Sequence, residues 1–168
     1  AVIARLNYIL SWSNEHSEGE AMTLIERLEP LDPDRAKASL AQIQLVNTWS
    51  TLDPHNAHRL IQELISSGYE DGEMLLAGIY SRGSLDQPDQ GRALQILQRL
   101  AEQGSLAAYY RIALLYSQGR GVCREPAKAY AYATIAHEGG DRRAANLLRM
   151  LNQFTTPEQR KEGERLHQ

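Results

Sequence analysis

Three histidines are the first candidates for metal or hydrolytic chemistry. His55 and His58 fall within one helical turn of each other, and His137 precedes Glu138. A zinc site needs at least three protein ligands, and the helix of a zinc protease needs a second histidine four residues after the first. Neither pattern is complete here. The sequence therefore predicts surface histidines, with neither a metal site nor a bound cofactor.

Nucleophilic and phosphate-binding motifs are also incomplete. Cys123 is the single cysteine, so it has no thiol partner for a disulfide or a redox pair. The segment from Gly119 to Gly121 is too short for a phosphate-binding loop and lacks its Lys and Ser or Thr, so it predicts a turn. Because no nucleophile stands with its base, the chain is predicted not to be an enzyme.

Tyrosines and arginines are the residues best suited to binding a partner. Tyr110 with Arg143, Asn146 and Arg149 forms the most interface-like group, since Tyr and Arg offer large contact areas and bidentate hydrogen-bond donors. Tyrosines can instead stack on sugar rings or fill a core. Tyr116 and Tyr132 fall at core positions of the repeat described next. The tyrosines left open to either role are Tyr109, Tyr110 and Tyr130.

A repeat of 36 residues must position these side chains. Gly68, Gly104 and Gly140 are spaced by 36, as are Gly83 and Gly119. Apolar columns keep the same interval: Ala21, Ala57, Ala93 and Ala129; Ile25, Ile61, Leu97 and Ala133; Leu28, Leu64, Leu100 and Ala136; Ala4, Leu40, Leu76, Ile112 and Leu148; Ile43, Ile79, Leu115 and Leu151. Such a period is typical of a solenoid in which each repeat buries the face of its neighbour.

Apolar spacings of three and four residues predict two helices in each period. The predicted helices cover about 1–12, 18–29, 34–51, 54–67, 70–82, 89–103, 106–118, 126–138, 142–153 and 157–167. We expect an all-α solenoid of stacked antiparallel helix pairs, forming one domain over 1–168 with pairs near 1–29, 34–67, 70–103, 106–138 and 142–167. The last helix is rich in charge, with Leu166 as its apolar anchor, which is typical of a terminal cap.

Composition and net charge argue against two classes of function, nucleic-acid binding and membrane spanning. The net charge of −3 provides no basic excess for a phosphate backbone, so nucleic acid is not an expected partner. No apolar run reaches the roughly 18 residues of a membrane-spanning helix. The chain opens with Ala1 inside an apolar-periodic segment, and we expect it to be a C-terminal fragment of a longer solenoid.

The segment from Ala107 to Cys123, followed by Glu125, Ala129 and Gly140, resembles the Sel-one-like (Sel1-like) repeat family, a relative of the tetratricopeptide repeat. It is also similar to periplasmic scaffold lipoproteins of bacterial exopolysaccharide (alginate) export. The resemblance implies a right-handed α-solenoid that acts as an adaptor in a multi-protein complex and has no catalytic residues. It further implies a periplasmic location, with outer-membrane anchoring through a missing part. A cytoplasmic location is the alternative.

In the tetratricopeptide-like arrangement, the first helix of each pair lines a groove that binds extended or helical ligands. This geometry predicts the groove residues Arg35, Gln42, Asp71, Met74, Tyr110, Leu114, Gln118, Arg143, Asn146 and Arg149. The sequence thus favours a protein-interaction scaffold, and a carbohydrate-binding module that guides an acidic polysaccharide is the second hypothesis. The plain alternative is that these residues form an ordinary solvated helix face.

Overall fold

The computed structural model describes residues 2–11, 17–46, 49–82, 88–119 and 122–167. These residues form ten helices and no strand, which confirms the all-α prediction. The helices are α1 (Val2–Ser11), α2 (Glu18–Leu28), α3 (Pro33–Ile43), α4 (Pro54–Ser66), α5 (Gly72–Arg82), α6 (Gln90–Glu102), α7 (Leu106–Gln118), α8 (Pro126–Glu138), α9 (Arg142–Phe154) and α10 (Pro157–His167). Gly83, which marks the 36-residue spacing, lies outside the described residues, as do Arg120 and Gly121 of the predicted turn.

The chain divides into two compact units. The first unit is Ala1–Gln87 and contains α1 to α5, and the second unit is Pro88–Gln168 and contains α6 to α10. Within each unit, helices that follow one another along the chain contact each other, except that α10 packs mainly against α8. The division falls inside the predicted pair 70–103, and the single-domain organisation stays a prediction.

The second helices pack through one column of alanines. Ala21, Ala57, Ala93 and Ala129 all have a relative exposure of 0%. The residues four and seven positions further along are also buried: Ile25, Ile61, Leu97 and Ala133, then Leu28, Leu64, Leu100 and Ala136. A methyl side chain lets two helix axes approach closely, and the larger neighbours then fill the space beside it. These buried columns confirm the second-helix register.

The first helices carry a column of small residues that the sequence analysis did not include. Ala36, Gly72, Ala108 and Ala144 are all buried at the 36-residue interval. Gly72 shows the reason, because a Cβ there would lie 2.9 Å from Cγ1 of Ile65 at the end of α4. The first helices therefore touch the preceding second helix where the side chain is smallest.

Helix α1 does not follow the register of the other first helices. Ala4 was predicted to lie in a core column but is exposed, whereas Leu6 and Ile9 are buried at 1% and 3%. Leu6 lies two residues, or about 200°, around the helix from Ala4. The prediction for Ala4 is wrong because the packed face of α1 is rotated away from the repeat register.

Glycine ends three of the second helices. Gly68, Gly104 and Gly140 have φ angles of 80°, 89° and 103°, which favour a residue without Cβ. After Gly68, the Tyr69 amide donates to the Leu64 carbonyl at 2.9 Å, and the same pattern follows the other two glycines. These bonds satisfy carbonyls that the helix leaves unpaired and turn the chain into the next first helix.

Polar side chains cap the N-termini of α3, α4 and α10. The Asp32 and Asp53 carboxylates accept from the amides of Arg35 and Asn56 at 3.0 and 2.9 Å. At α10, Thr156 Oγ1 accepts from the Gln159 amide at 3.3 Å, and Gln159 Oε1 accepts from the Thr156 amide at 3.0 Å. This reciprocal pair is a capping box.

Helix α3 ends at Ile43, not near residue 51 as predicted. The Asp53 amide donates to the Gln44 carbonyl at 3.0 Å, so the chain folds back before α4, and Trp49 is buried at 3%. The Glu18 carboxylate accepts from the amide of Ser50 at 3.1 Å and from the amide of Thr51 at 2.7 Å. Burial opposes ionisation of Glu18, yet these bonds lower its pKa overall. Residues 47 and 48 lie outside the described part.

Helix α10 is held by a glycine and not by its leucine. Gly163 is buried, and a Cβ there would lie 2.7 Å from the Ala127 carbonyl oxygen of α8. Leu166, the predicted anchor, is 55% exposed. The prediction for Leu166 is wrong because α10 crosses α8 backbone to backbone, at the only glycine in that helix.

Candidate partner-binding grooves

A polar cleft of about 180 Å³ opens among the first helices of the first unit. Three of the predicted groove residues, Arg35, Gln42 and Asp71, lie at this cleft. The other lining residues are Ile3, Asn7, Ala38, Ser39, Tyr69 and Leu75. Met74 is half-buried on α5 and is not part of the lining. The cleft brings residues of α1, α3 and the start of α5 to one place.

The cleft carries both signs of charge. Arg35 Nε lies 3.7 Å from Asp32 Oδ2, and this pair is more than a third exposed, so its stabilising effect is small. Asp71 adds a second exposed carboxylate. Burial raises the pKa of the Tyr69 phenol, so Tyr69 stays protonated and can donate a hydrogen bond. The arrangement suits a ligand with both donors and acceptors, such as a polypeptide backbone.

In the second unit, Tyr110 and Arg143 are in direct contact. The Arg143 guanidinium lies 4.7 Å from the centre of the Tyr110 ring. Asp141 fixes the guanidinium by accepting from its Nε at 3.0 Å and from its Nη2 at 2.6 Å. The Asp141 carboxylate also accepts from the Arg143 amide at 2.9 Å and so caps α9. Hydrogen bonding to Arg143 lowers the pKa of Asp141 and, in return, raises the pKa of Arg143.

The remaining predicted residues of this unit lie on the same two helices. Leu114 is half-buried and Gln118 is exposed on α7, while Asn146 and Arg149 are exposed on α9. Asn146 and Arg149 follow Arg143 along α9 at intervals of three residues. Their role in binding stays a prediction.

Two exposed apolar residues at positions equivalent to predicted groove residues were missed by the sequence analysis. Met150 and Phe154 follow Leu114 and Gln118 by 36 residues and are 44% and 66% exposed on α9. The 36-residue register itself was the signal that could have found them. Both were overlooked because apolar residues near the end of a helix are usually assigned to a core.

The open tyrosines are engaged in contacts within the second unit. The rings of Tyr109 and Tyr132 lie 6.1 Å apart, and those of Tyr116 and Tyr132 are stacked at 5.9 Å. Lys128 Nζ lies 5.2 Å from the centre of the Tyr116 ring. Tyr130 lies against α10, with its Cδ1 only 3.2 Å from the position of a Cβ on Gly163. Packing therefore accounts for these rings.

The candidate residues for chemistry lie on α4, on α8 and in the segment before α8. His55 is exposed, and His58 is half-buried with its Nε2 at 3.4 Å from Nε2 of Gln62. Cys123 is an exposed free thiol. In the part of the chain that the structure describes, no group of three or more His, Cys, Asp or Glu side chains is placed to hold a metal ion. Among the same described residues, no helix has the length and hydropathy needed to cross a membrane.

The first helices of the two units differ in charge. Helices α7 and α9 of the second unit contain Arg111, Arg142, Arg143 and Arg149 and no acidic residue. In the first unit, α3 and α5 contain Asp34 and Glu73 beside their basic residues, and Asp71 precedes α5. The second unit thus presents a cationic first-helix layer.

Sequence comparisons connect the chain to two bacterial proteins. The "Alginate biosynthesis protein AlgK" of Azotobacter vinelandii is 35% identical over 91 residues, covering 54% of this chain and 20% of that protein. The "Sel1-repeat-containing protein YjcO" of Escherichia coli K12 is 28% identical over 134 residues, covering 76% of this chain and 58% of that protein. The chain thus spans less than two thirds of each relative. No family model matches it.

A structural comparison agrees with these relatives. The crystal structure of c5321, a protective antigen present in uropathogenic Escherichia coli strains displaying an SLR fold, superposes with a TM-score of 0.64 at 20% identity. The match covers 89% of this chain and 32% of that chain. The chain has the fold of SLR (Sel1-like repeat) proteins. The expected α-solenoid fold class is confirmed.

In this repeat fold, the buried columns and the predicted groove residues occupy different faces of the same helices. Ile112 and Leu115 of α7 are buried, whereas Tyr110 and Gln118 of the same helix reach the surface. Residues needed for stacking are therefore separate from residues available to a partner. A groove side chain can change without loss of the repeat fold.

Proposed function

We propose that this chain is a non-catalytic scaffold that holds protein partners on the outward faces of its first helices. The observation that carries the proposal is that each unit has such a surface: a polar cleft around Gln42 in the first and the Tyr110–Arg143 pair in the second. Stacked repeats commonly use such surfaces to bind extended or helical segments of other proteins.

The proposed setting is a bacterial envelope complex for exopolysaccharide secretion. The support is the similarity to a protein named for alginate biosynthesis, over about half of this chain. A periplasmic location follows from that setting, with anchoring to the outer membrane through a part of the protein outside this sequence. Fractionation of native cells tests the location, because recovery of the full-length parent in the cytoplasm would contradict it.

Affinity purification of the full-length parent from its native cells tests the function. Bound proteins are identified by mass spectrometry, and bound glycans are assayed in parallel. We expect stoichiometric envelope or polysaccharide-export proteins in the eluate. Failure to recover any protein above a mock purification, after mild cross-linking, would contradict the scaffold proposal.

A carbohydrate-binding role is the second candidate, and the cationic layer of α7 and α9 is the observation that favours it. Arg142 and Arg149 are both exposed and can pair with the carboxylates of a uronate polymer. Calorimetry with oligouronates distinguishes the two roles. Heat of binding that is abolished by Arg142→Ala with Arg149→Ala would support the carbohydrate role, and no heat would exclude it.

A further inference from the structure

Two large apolar side chains lie exposed next to each other on α9. Met150 and Phe154 are four residues apart, so they project from the same side of the helix, about 6 Å apart along its axis. Leu114 is half-buried on α7, which contacts α9. Helix α10 packs mainly on α8, and its position leaves this side of α9 exposed. Clustered apolar exposure of this kind is typical of a docking surface.

The charged side chains of α9 itself all have one sign. Helix α9 carries three arginines and no acidic residue. Asp141 neutralises Arg143 by accepting from its Nε and Nη2. Arg142 and Arg149 are exposed and seven residues apart, which places both on one side of the helix. The surface is therefore complementary to an acidic partner.

The aromatic rings of the second unit do not offer a platform for sugars. The face of Tyr110 is covered by Arg143, and Tyr109 and Tyr132 contact each other. Phe154 remains, beside Met150. A flexible Met next to an exposed Phe is typical of surfaces that accept apolar side chains of a polypeptide. The occupant is thus better described as a protein segment than as a polysaccharide.

We infer that α7 and α9 of the second unit bind an acidic amphipathic helix of a partner protein. Leucine-type side chains of that helix contact Leu114, Met150 and Phe154, and its flanking carboxylates pair with Arg142 and Arg149. The side-chain ridges of a partner helix fit into the grooves between the side chains on the exposed side of α9, so a helix is the expected shape of the partner segment. This inference rests on the proposed scaffold function and specifies the class of partner.

The direct test is fluorescence anisotropy with a labelled helix-forming peptide of about 18 residues, which is long enough to be helical in water. The peptide has Leu on one face and Glu on the other, and a second peptide has the same composition in scrambled order. We expect the 168-residue chain to bind the amphipathic peptide, with affinity falling as salt is added, and to bind the scrambled one at least about tenfold more weakly.

Variants locate the binding surface. Met150→Ser with Phe154→Ser should weaken peptide binding about tenfold or more, and Arg149→Glu should weaken it independently. The matched control is Leu31→Ser with Leu52→Ser in the first unit, where both leucines are also exposed. Wild-type affinity in the control is expected. Circular dichroism checks that each variant is folded, and Arg149→Glu tests the surface even if the double variant unfolds.

Three results would overturn the inference. They are equal binding of the two peptides, wild-type affinity in both the double variant and Arg149→Glu, and binding of an oligouronate in place of the peptide. The native partner separates this inference from the scaffold proposal. If the double-variant bait recovers that partner as fully as wild type, the inference fails and the scaffold stands. If the wild-type bait recovers no protein, the scaffold fails as well.

Discussion

The first-helix faces of the two units are built differently. In the first unit, Arg35, Gln42 and Asp71 meet at a polar cleft with charges of both signs. In the second, Arg143 is fixed between Tyr110 and Asp141, and Met150 and Phe154 stay exposed further along α9. The buried columns of the second helices are nevertheless the same in both units. The difference shows that the repeat restricts the residues of the buried face, whereas the residues of the outward face can differ from one unit to the other.

The largest effect is expected from overpacking the column that both units share. Ala57→Leu and Ala129→Leu should each destabilise their unit by about 1–3 kcal/mol, because both methyl groups are fully buried between helices. Ala4→Leu is the matched control on an exposed position and should change stability by less than about 0.5 kcal/mol. Urea unfolding measures all three. A cost in only one unit would break the claim of shared packing.

The second-largest loss of stability is expected when the close contact between α10 and α8 is disrupted. Gly163→Ala places a methyl 2.7 Å from the Ala127 carbonyl oxygen, so the backbone must move, and we expect destabilisation of about 1–2 kcal/mol. Gly91→Ala is the control, since its nearest neighbour lies at 3.5 Å, and it should stabilise by about 0.4–1 kcal/mol. Thermal melts distinguish them. Equal stabilisation by both would mean that α10 is not held at Gly163.

Asp141→Ala should cost about 1 kcal/mol at neutral pH through the lost cap of α9. Asp141→Asn keeps a capping side chain but loses the ion pair with Arg143. Because that pair lowers the folded pKa of Asp141, its stabilisation is present above the unfolded pKa of about 3.9 and is lost as pH falls through the folded value. The stability gap between wild type and Asp141→Asn should therefore shrink below about pH 4 in urea titrations. A gap that widens there would contradict this ion pair.

The smallest effect is expected at Arg149. Arg149→Glu should change the free energy of unfolding by less than about 0.5 kcal/mol, because the side chain is exposed on α9. Arg143→Glu, by contrast, puts a carboxylate beside Asp141 and should destabilise more. The same urea titrations compare the two. Similar free energies of unfolding for the two variants would show that the ion pair with Asp141 does not make Arg143 more important for stability than Arg149.

The sequence predicted the repeat well because each copy obeys the same packing rule. The alanine column from Ala21 to Ala129 and the glycines at 68, 104 and 140 were recognisable by spacing alone, and burial and φ angles confirm them. Few other residue types fit positions that require a small side chain or a left-handed backbone conformation. That restriction keeps the signal visible in the sequence.

The rest depended on geometry that spacing does not encode. Helix α1 buries Leu6 and Ile9 outside the register, and the turn after Ile43 depends on Glu18 binding the amides of residues 50 and 51. The sequence predicted which residues of the candidate site lie on the exposed faces of the first helices. It did not predict which of these residues contact one another. Asp141 binds Arg143, whereas Arg149 is exposed. This difference between the two arginines is visible only in the three-dimensional contacts.

Site-specific photo-cross-linking of the native partner tests the central claim most directly. A benzophenone amino acid replaces Gln42 in the cleft of the first unit or Gln118 on α7 of the second, and matched controls replace Gln62 on α4 and Gln95 on α6. We predict cross-links to partner protein from at least one of the two first-helix positions and from neither control. Cross-links confined to Gln62 or Gln95 would contradict a scaffold that works through its first helices.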